Sequence, residues 1–523
     1  VPVLSATNRV NRNRIMTTAL PQVFDTVVHM LKDAADRSPA SPAIVFENRQ
    51  LDYGQYWRCV AGFAAELRAL GASGQRVVLI CGNSLEMAVS MYAVQAAGAQ
   101  AMPVNPLYTP RELKHILVDA DPVAIILDDN LTASLGPLFD ELGIDHRIQV
   151  GPKSRLLDTW VEDASVTLAD LPLKDDLATL QYTGGTTGLP KGVDITHRQM
   201  ATNISQREAR LGTQADDERI LCVMPLFHVF AVHMCLYLTV YCRGQLIILP
   251  RYQPDTVLAA IEKFRITRFP AGPTVYHGLM GYDGFAATDF SSLRTAWSGS
   301  APLPGNTLKR WQEQTSCPIL EGYGQSEAGP VLTYVAEGDP VKPGSVGKVL
   351  PLTEIQIVDT ETGNQVLAVG EQGEIRARGP QIMSGYRNRE TETAATLRGG
   401  WLYTGDIGEM DEDGDLYIRD RKKDMAIVGG YNVYPREIDE VLYAHPDVIE
   451  AAAIGVADDY RGEVIRAFVV AGNSSVSVDD LLEHCRLNLA RYKIPAVLEL
   501  VNDLPKTAVG KIDKKALRES TNA

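Results

Sequence analysis

Short unbroken apolar runs alternate along the chain with longer stretches in which apolar residues recur at helical spacing. The runs at 76–81, 123–127 and 245–249 are apolar at successive positions, which predicts strands buried on both faces. Between them, 85–97 and 110–119 carry helical patterns. Strands separated by helices predict parallel sheets joined by crossovers. From about residue 344 the texture changes, and shorter strand candidates at 353–358, 373–378 and 415–418 are separated by Gly, Asp and Asn turns, as in a small antiparallel region. The charged run Asp420-Arg421-Lys422-Lys423-Asp424 then leads into the apolar stretch 425–428 and the pair Gly429-Gly430, which marks a boundary. Beyond it the chain predicts a helix at 435–444, strands at 448–456 and 467–470, a helix at 478–489, and a lysine-bearing loop at 504–513. The predicted class is α/β. A large N-terminal domain of parallel helix-flanked sheets with a small antiparallel β region precedes a small mobile α+β C-terminal domain.

The 523 residues exceed what one core holds, and the pattern divides them into an arm or leader at 1–20, a large domain at 21–420 and a C-terminal domain at 421–523. The formal charge of −15, with no basic run to offset it, argues against nucleic acid as a partner. Seven cysteines form no C-x-x-C pair and leave an odd count, which predicts small buried hydrophobes in a reducing, cytoplasmic setting. Residues 1–15 hold no continuous apolar core, so they do not read as a secretory signal, and Met16 is a candidate start. The stretch 221–242 has no Asp, Glu, Lys or Arg and is long enough for a bilayer, but Pro225, His228 and His233 interrupt it. It reads as a buried element beside a pocket rather than a transmembrane segment, and leaves open peripheral contact with lipid. A homodimer is among the oligomeric states the sequence allows.

Candidate chemistry concentrates in Tyr182-Thr183-Gly184-Gly185-Thr186-Thr187-Gly188-Leu189-Pro190-Lys191-Gly192. Glycines let backbone N–H groups approach an anion, the threonine hydroxyls add donors, and Lys191 adds charge, so the loop suits a triphosphate. It is not a Walker A loop, because Lys191 is followed by glycine and the glycine spacing differs. No G-x-G-x-x-G supports a dinucleotide oxidoreductase, and Gly324-Gln325-Ser326-Glu327-Ala328 lacks the last glycine of a hydrolase elbow. No H-E-x-x-H or Cys/His cluster argues for zinc.

This loop, Gly322-Tyr323-Gly324-Gln325-Ser326-Glu327, Tyr403-Thr404-Gly405-Asp406, residues 420–437 and residues 505–511 occur in the order of the adenylate-forming superfamily of acyl-CoA synthetases, luciferases and peptide-synthetase adenylation domains, which the chain resembles over nearly its whole length. Gly184 stands where the family usually has serine, and Ser326 where it usually has threonine. The resemblance implies ATP binding by Thr183, Gly184, Gly185, Thr186, Thr187, Gly188 and Lys191, with Ser298, Gly299, Ser300 and Ala301 as the adenine-side loop. It places Gly322, Tyr323, Gly324, Gln325 and Ser326 around the adenine, and an aromatic face suits a purine. Asp406 is matched to the ribose-binding aspartate, whose two oxygens can accept from both hydroxyls, and Arg421 to a second ribose contact. Glu327 is matched to a Mg2+ ligand, since magnesium favours hard oxygen donors.

By the same resemblance Lys511 reaches from the C-terminal domain to the α-phosphate and the substrate carboxylate, where an ammonium offsets charge building on the phosphoryl oxygens. Lys511, His228, Glu327 and Thr183 are thus the expected catalytic group. Lys506, Lys514 and Lys515 read as ordinary solvated residues. The C-terminal domain would rotate about Lys423 between acyl-adenylate formation and transfer to coenzyme A, presenting Gly429, Gly430 and Tyr431 to the thiol.

Phe227, His228, Val229, Phe230, Gly322, Gly329 and Val331 form the expected acyl pocket. The stretch 225–230 has no carboxylate to pair an amino acid's ammonium, and no arginine suits a second carboxylate. The small residues Gly322 and Gly329 leave room for an extended chain. The expectation is therefore an ATP-dependent, AMP-forming acyl-CoA synthetase acting on a medium- or long-chain fatty acid. An aromatic-acid CoA ligase, an acyl-AMP ligase delivering to a carrier protein, a luciferase-like oxidase and a noncatalytic nucleotide-binding homologue stay open.

Overall fold

A strand that is apolar on both faces has to be covered on both, and the apolar runs accordingly lie at the centres of two helix-flanked sheets. The computed structural model describes residues 19–151, 157–183, 190–458, 461–472, 476–507 and 510–521. The expected arm at 1–20 lies almost wholly outside them.

One sheet runs in the order Gly385–Tyr386, Lys191–Thr196, Leu177–Thr183, Gln100–Pro103, Arg76–Ile80, Ala124–Asp128, His146–Val150. Its members from Leu177–Thr183 to His146–Val150 are parallel, while Lys191–Thr196 and Gly385–Tyr386 pair antiparallel at the edge. Val77, Val78, Leu79 and Ile80 are completely buried. A second sheet is parallel from Ile319–Gly324 through Thr295–Ser298, Arg268–Ala271, Arg219–Cys222 and Gln245–Ile248 to Pro42–Phe46. Antiparallel strands close both of its ends. The sheets are therefore mixed at their margins, where the sequence had predicted parallel pairing.

Helix Leu85–Ala96 is buried at every residue. Its N-terminus is capped by Ser84, whose hydroxyl accepts from the Met87 amide. Helix Pro110–Ala120 starts from a reciprocal cap between Thr109 and Glu112, with Pro110 in the first turn. The uncharged stretch 221–242 is core: after Arg219–Cys222 the chain turns and forms a helical segment that contains a π-helical turn, Val232–Tyr237, all of it buried. No described helix is long and apolar enough to cross a membrane. All seven cysteines are free and buried.

The antiparallel region is built from Glu354–Val358, Gly373–Arg378, Trp401–Met410, Leu397–Arg398 and Leu416–Arg421. After residue 421 a separate apolar cluster forms around Val433, Ile438, Leu442, Ala451, Ala467 and Leu481. Here the second strand, Gly462–Ala471, is longer than the predicted 467–470, because its opening residues pair with the far end of Val448–Asp458 in an antiparallel ladder. Half-exposed Glu463 and Arg466 break the apolar run that the sequence could show.

Candidate active site

Crossover topology puts the carboxyl ends of parallel strands on one side of a sheet, where ligands of open α/β folds lie. Leu177–Thr183, Thr295–Ser298 and Ile319–Gly324 end there and lead directly into the candidate motifs. Gly184, Gly185, Thr186, Thr187 and Gly188 lie outside the described residues. Their flanks are described: the Thr183 hydroxyl donates to the Lys191 carbonyl at 3.4 Å, across the antiparallel pair that supports the loop.

Tyr323 and Asp406 meet although they come from different sheets. The Tyr323 hydroxyl donates to Asp406 Oδ2 at 2.6 Å, and Arg421, opposite Asp406 on the adjacent strand, brings Nε to 3.4 Å from Oδ1. Gly405, at φ +71°, lets the strand turn, so that the Asp406 amide donates to the Thr404 hydroxyl at 3.1 Å. Burial pushes the Asp406 carboxyl above its ordinary value, against the pull of Arg421, Tyr323 and Lys511. Burial likewise raises the Tyr323 phenol, with Asp406 adding to it.

Lys511 reaches this group from the C-terminal region. Its loop is tied by Thr507, whose amide donates to the Lys511 carbonyl at 2.7 Å and whose hydroxyl accepts from the Lys511 amide at 3.2 Å. Gly510, at φ +76°, abuts the large region: a Cβ there would lie 3.1 Å from the Thr274 hydroxyl. Burial, reinforced by Arg421 and opposed by Asp406, lowers the Lys511 ammonium to about 8. His228 is the N-cap of the next helical turn, its Nδ1 accepting from the Phe230 amide at 3.3 Å. Burial, with the Lys511 charge adding to it, lowers its imidazole to about 3, so His228 is neutral.

Glu327 is buried, and its Oε1 accepts from the Tyr386 hydroxyl at 2.8 Å. The Lys191 ammonium sits 4.2 Å from the centre of the Tyr386 ring, so one tyrosine joins the end of the glycine-rich loop to the candidate metal ligand. A cluster of carboxylates elsewhere, Asp411, Asp413 and Asp415, already surrounds the Lys342 ammonium at 2.7–2.8 Å.

A small, largely apolar cavity of about 20 Å³ lies beside these groups, lined in part by Val229, Val232, Ile195, Met200, Ser326 and Gly329. Of the expected pocket residues, Val229 and Gly329 line it. The room expected at Gly322 is filled, because a Cβ there would run into the Tyr334 ring. Phe230 likewise closes the space beside Gly299, 2.8 Å from where a Cβ would stand. Gly429 and Gly430, with φ of +57° and +86°, form the turn between Ala426–Val428 and Tyr431–Val433 and are exposed. Tyr431 stacks on Tyr492 at 4.6 Å, so this hairpin is built within the C-terminal region. Lys423 is exposed in the turn that follows Leu416–Arg421, where the Asp424 amide donates to the Arg421 carbonyl.

A family model described as AMP-binding enzyme matches residues 31–387, and one described as AMP-binding enzyme C-terminal domain matches residues 437–511. The chain belongs to the AMP-binding enzyme family. Among relatives of this AMP-binding enzyme, a long-chain-fatty-acid–CoA ligase of Bacillus subtilis (strain 168) is 37% identical over 534 residues, covering 96% of this chain and 95% of the relative. A protein of the same name from Yersinia pestis is 35% identical, covering 95% of each chain. The crystal structure of ATP-bound MatB from Rhodopseudomonas palustris superposes with a TM-score of 0.87 at 30% identity, covering 94% of this chain and 98% of that one.

Several residues of this AMP-binding enzyme's site had no role assigned from the sequence, although Thr507 and Arg436 fall within the motifs at 505–511 and 420–437. Tyr386 and Thr507 are ordinary residues whose partners are distant or local to a turn. Glu321 and Arg436 were also missed. Glu321 is buried at the end of a parallel strand, within electrostatic reach of Arg436 and Glu440 on helix Pro435–Tyr443, and burial raises its carboxyl to about 8. Lys514 corrects the expectation of a solvated side chain: it is paired with Asp439 at 2.6 Å and only 20% exposed.

Proposed function

We propose that this AMP-binding enzyme is an ATP-dependent acyl-CoA ligase that activates a medium- or long-chain fatty acid as its adenylate and transfers the acyl group to coenzyme A. Two full-length relatives bearing the name long-chain-fatty-acid–CoA ligase support the substrate class. The observation that carries the chemistry is that the C-terminal Lys511, beside the Gly510–Thr274 contact, lies within electrostatic reach of Asp406, Arg421 and His228 at the strand ends of the large region.

In the first half-reaction a carboxylate oxygen attacks the α-phosphorus of ATP, forming the acyl–phosphate bond as pyrophosphate leaves. Both reactants are anionic, and the Lys511 ammonium offsets the charge that gathers as they meet. The Tyr323–Asp406–Arg421 group holds the nucleoside: Tyr323 offers its ring face to the adenine, and Asp406 exchanges its present partners for the ribose hydroxyls. Thr183, Lys191 and the glycine-rich loop between them take the β- and γ-phosphates. Neutral His228 donates to the acid without adding charge. Glu327 has one oxygen engaged by Tyr386 and, among the described residues, one left for a hard cation, which fits Mg2+. Such an ion, when bound, offsets phosphate charge.

In the second half-reaction the coenzyme A thiol attacks the acyl carbon and AMP leaves. Lys511 has no task there. Rotation about Lys423 withdraws it and brings the exposed Gly429-Gly430-Tyr431 hairpin toward the acyl carbon, glycines allowing close approach of the pantetheine arm. A panel of carboxylic acids incubated with ATP, Mg2+ and coenzyme A tests the assignment. Fatty acids should give acyl-CoA and AMP in equal amounts. AMP without acyl-CoA would mean delivery to another acceptor, and preference for aromatic acids would refute the fatty substrate.

A further inference from the structure

The cavity has a polar side chain that the proposed chemistry does not use. His233 lies five residues beyond His228 and lines the cavity at 6% exposure. At helical rise the two residues lie about 7 Å apart along the segment. Its neighbours on the cavity wall are engaged: the Thr179 hydroxyl donates to Met200 Sδ at 3.5 Å, and Gln181 Nε2 donates to the Phe227 carbonyl at 3.3 Å. Among the described residues no hydrogen bond engages either His233 ring nitrogen. The ring meets Tyr237 edge-on at 5.4 Å.

This position is also built rigidly. His233 and Tyr237 belong to the π-helical turn Val232–Tyr237, a form frequent at functional sites. Gln95 fixes the wall from behind, Nε2 donating to the Tyr237 hydroxyl at 2.7 Å and to the Thr179 hydroxyl at 3.3 Å. An imidazole that lines the cavity without a protein partner can take a hydrogen bond from a ligand there. A saturated chain cannot supply that bond.

We propose that His233 is a specificity-determining residue that favours acyl chains carrying a hydroxyl or carbonyl oxygen several carbons from the carboxylate over saturated chains of equal length. The inference rests on the acyl-CoA ligase reading of the same cavity. Burial lowers the imidazole to about 3, with Arg207 adding to it, so the ring is neutral across the working range and can either donate or accept. A hydroxyl can use either tautomer, and a carbonyl uses the donor nitrogen.

The test compares decanoate with its hydroxy and oxo derivatives, the oxygen placed at each successive carbon. Both kcat/KM and equilibrium binding without ATP are measured on the full chain. The wild type should prefer one narrow set of positional isomers over decanoate by at least about tenfold in both measurements. His233→Leu should erase that preference and improve decanoate, while His233→Asn should restore part of the preference for the oxygenated acid. A preference that is flat across positions in the wild type, or that survives in His233→Leu, overturns the proposal. The binding arm keeps the two claims separable: selective binding with no acid turned over would contradict the ligase reading and leave His233 as the selector, whereas turnover without positional preference would contradict the His233 role alone.

Discussion

Lys511 carries opposing demands in one side chain. On the proposed reading its ammonium is needed where anions meet, yet burial and Arg421 lower it to about 8, so in the free protein it loses its proton as pH rises through that value. Bound triphosphate is anionic and raises it again. The kcat/KM for ATP in the adenylation step reports the free enzyme and should therefore fall above about pH 8, while kcat falls only at higher pH. Lys511→Arg, charged at any working pH, should be slower but flat through 8. A level wild-type profile, or the same fall in Lys511→Arg, would contradict the assignment. At this scale the sequence was legible where a motif carries its own chemistry: Tyr323, Asp406, Arg421 and Lys511 are drawn together from separate motifs. It was illegible where a role depends on a distant partner. Nothing about Tyr386 announces its bond to Glu327, and nothing about Glu321 announces Arg436 on another region's helix.

Elements were legible where periodicity is strong and blurred where charge interrupts it. Helices Leu85–Ala96 and Pro110–Ala120 end within a residue of their predicted limits, since caps and apolar spacing agree. The edge strand Gly385–Tyr386 is too short to show a period, and only its pairing with Lys191–Thr196 makes it a strand. Strand Ile319–Gly324 has a further constraint that a pattern cannot show. Gly324 packs so closely on Pro330 and Val331 that an added Cβ would run into the Pro330 carbonyl. Gly324→Ala should cost about 1–3 kcal/mol, lowering the urea midpoint and displacing Tyr323 enough to weaken ATP binding. An unchanged midpoint with unchanged ATP affinity would show that the strand can shift without consequence.

Across the whole molecule, a lysine from one hydrophobic unit lies at the strand ends of another, where the proposed reading puts it to work. Gly510 beside Thr274, and Glu321 facing helix Pro435–Tyr443, show the two regions closed on each other in this conformation. The same closure leaves the Gly429-Gly430 hairpin exposed, as expected if a second arrangement serves thiol transfer. The general architecture followed from strands alternating with helices, but the contact between regions did not, because it depends on the angle adopted after residue 421. The most direct measurement is of both half-reactions in Lys511→Ala. The account predicts that acid-dependent pyrophosphate exchange falls by at least about a hundredfold, while ATP binding and acyl transfer to coenzyme A from supplied acyl-adenylate persist. Equal loss of both half-reactions, or exchange at the wild-type rate, would contradict it.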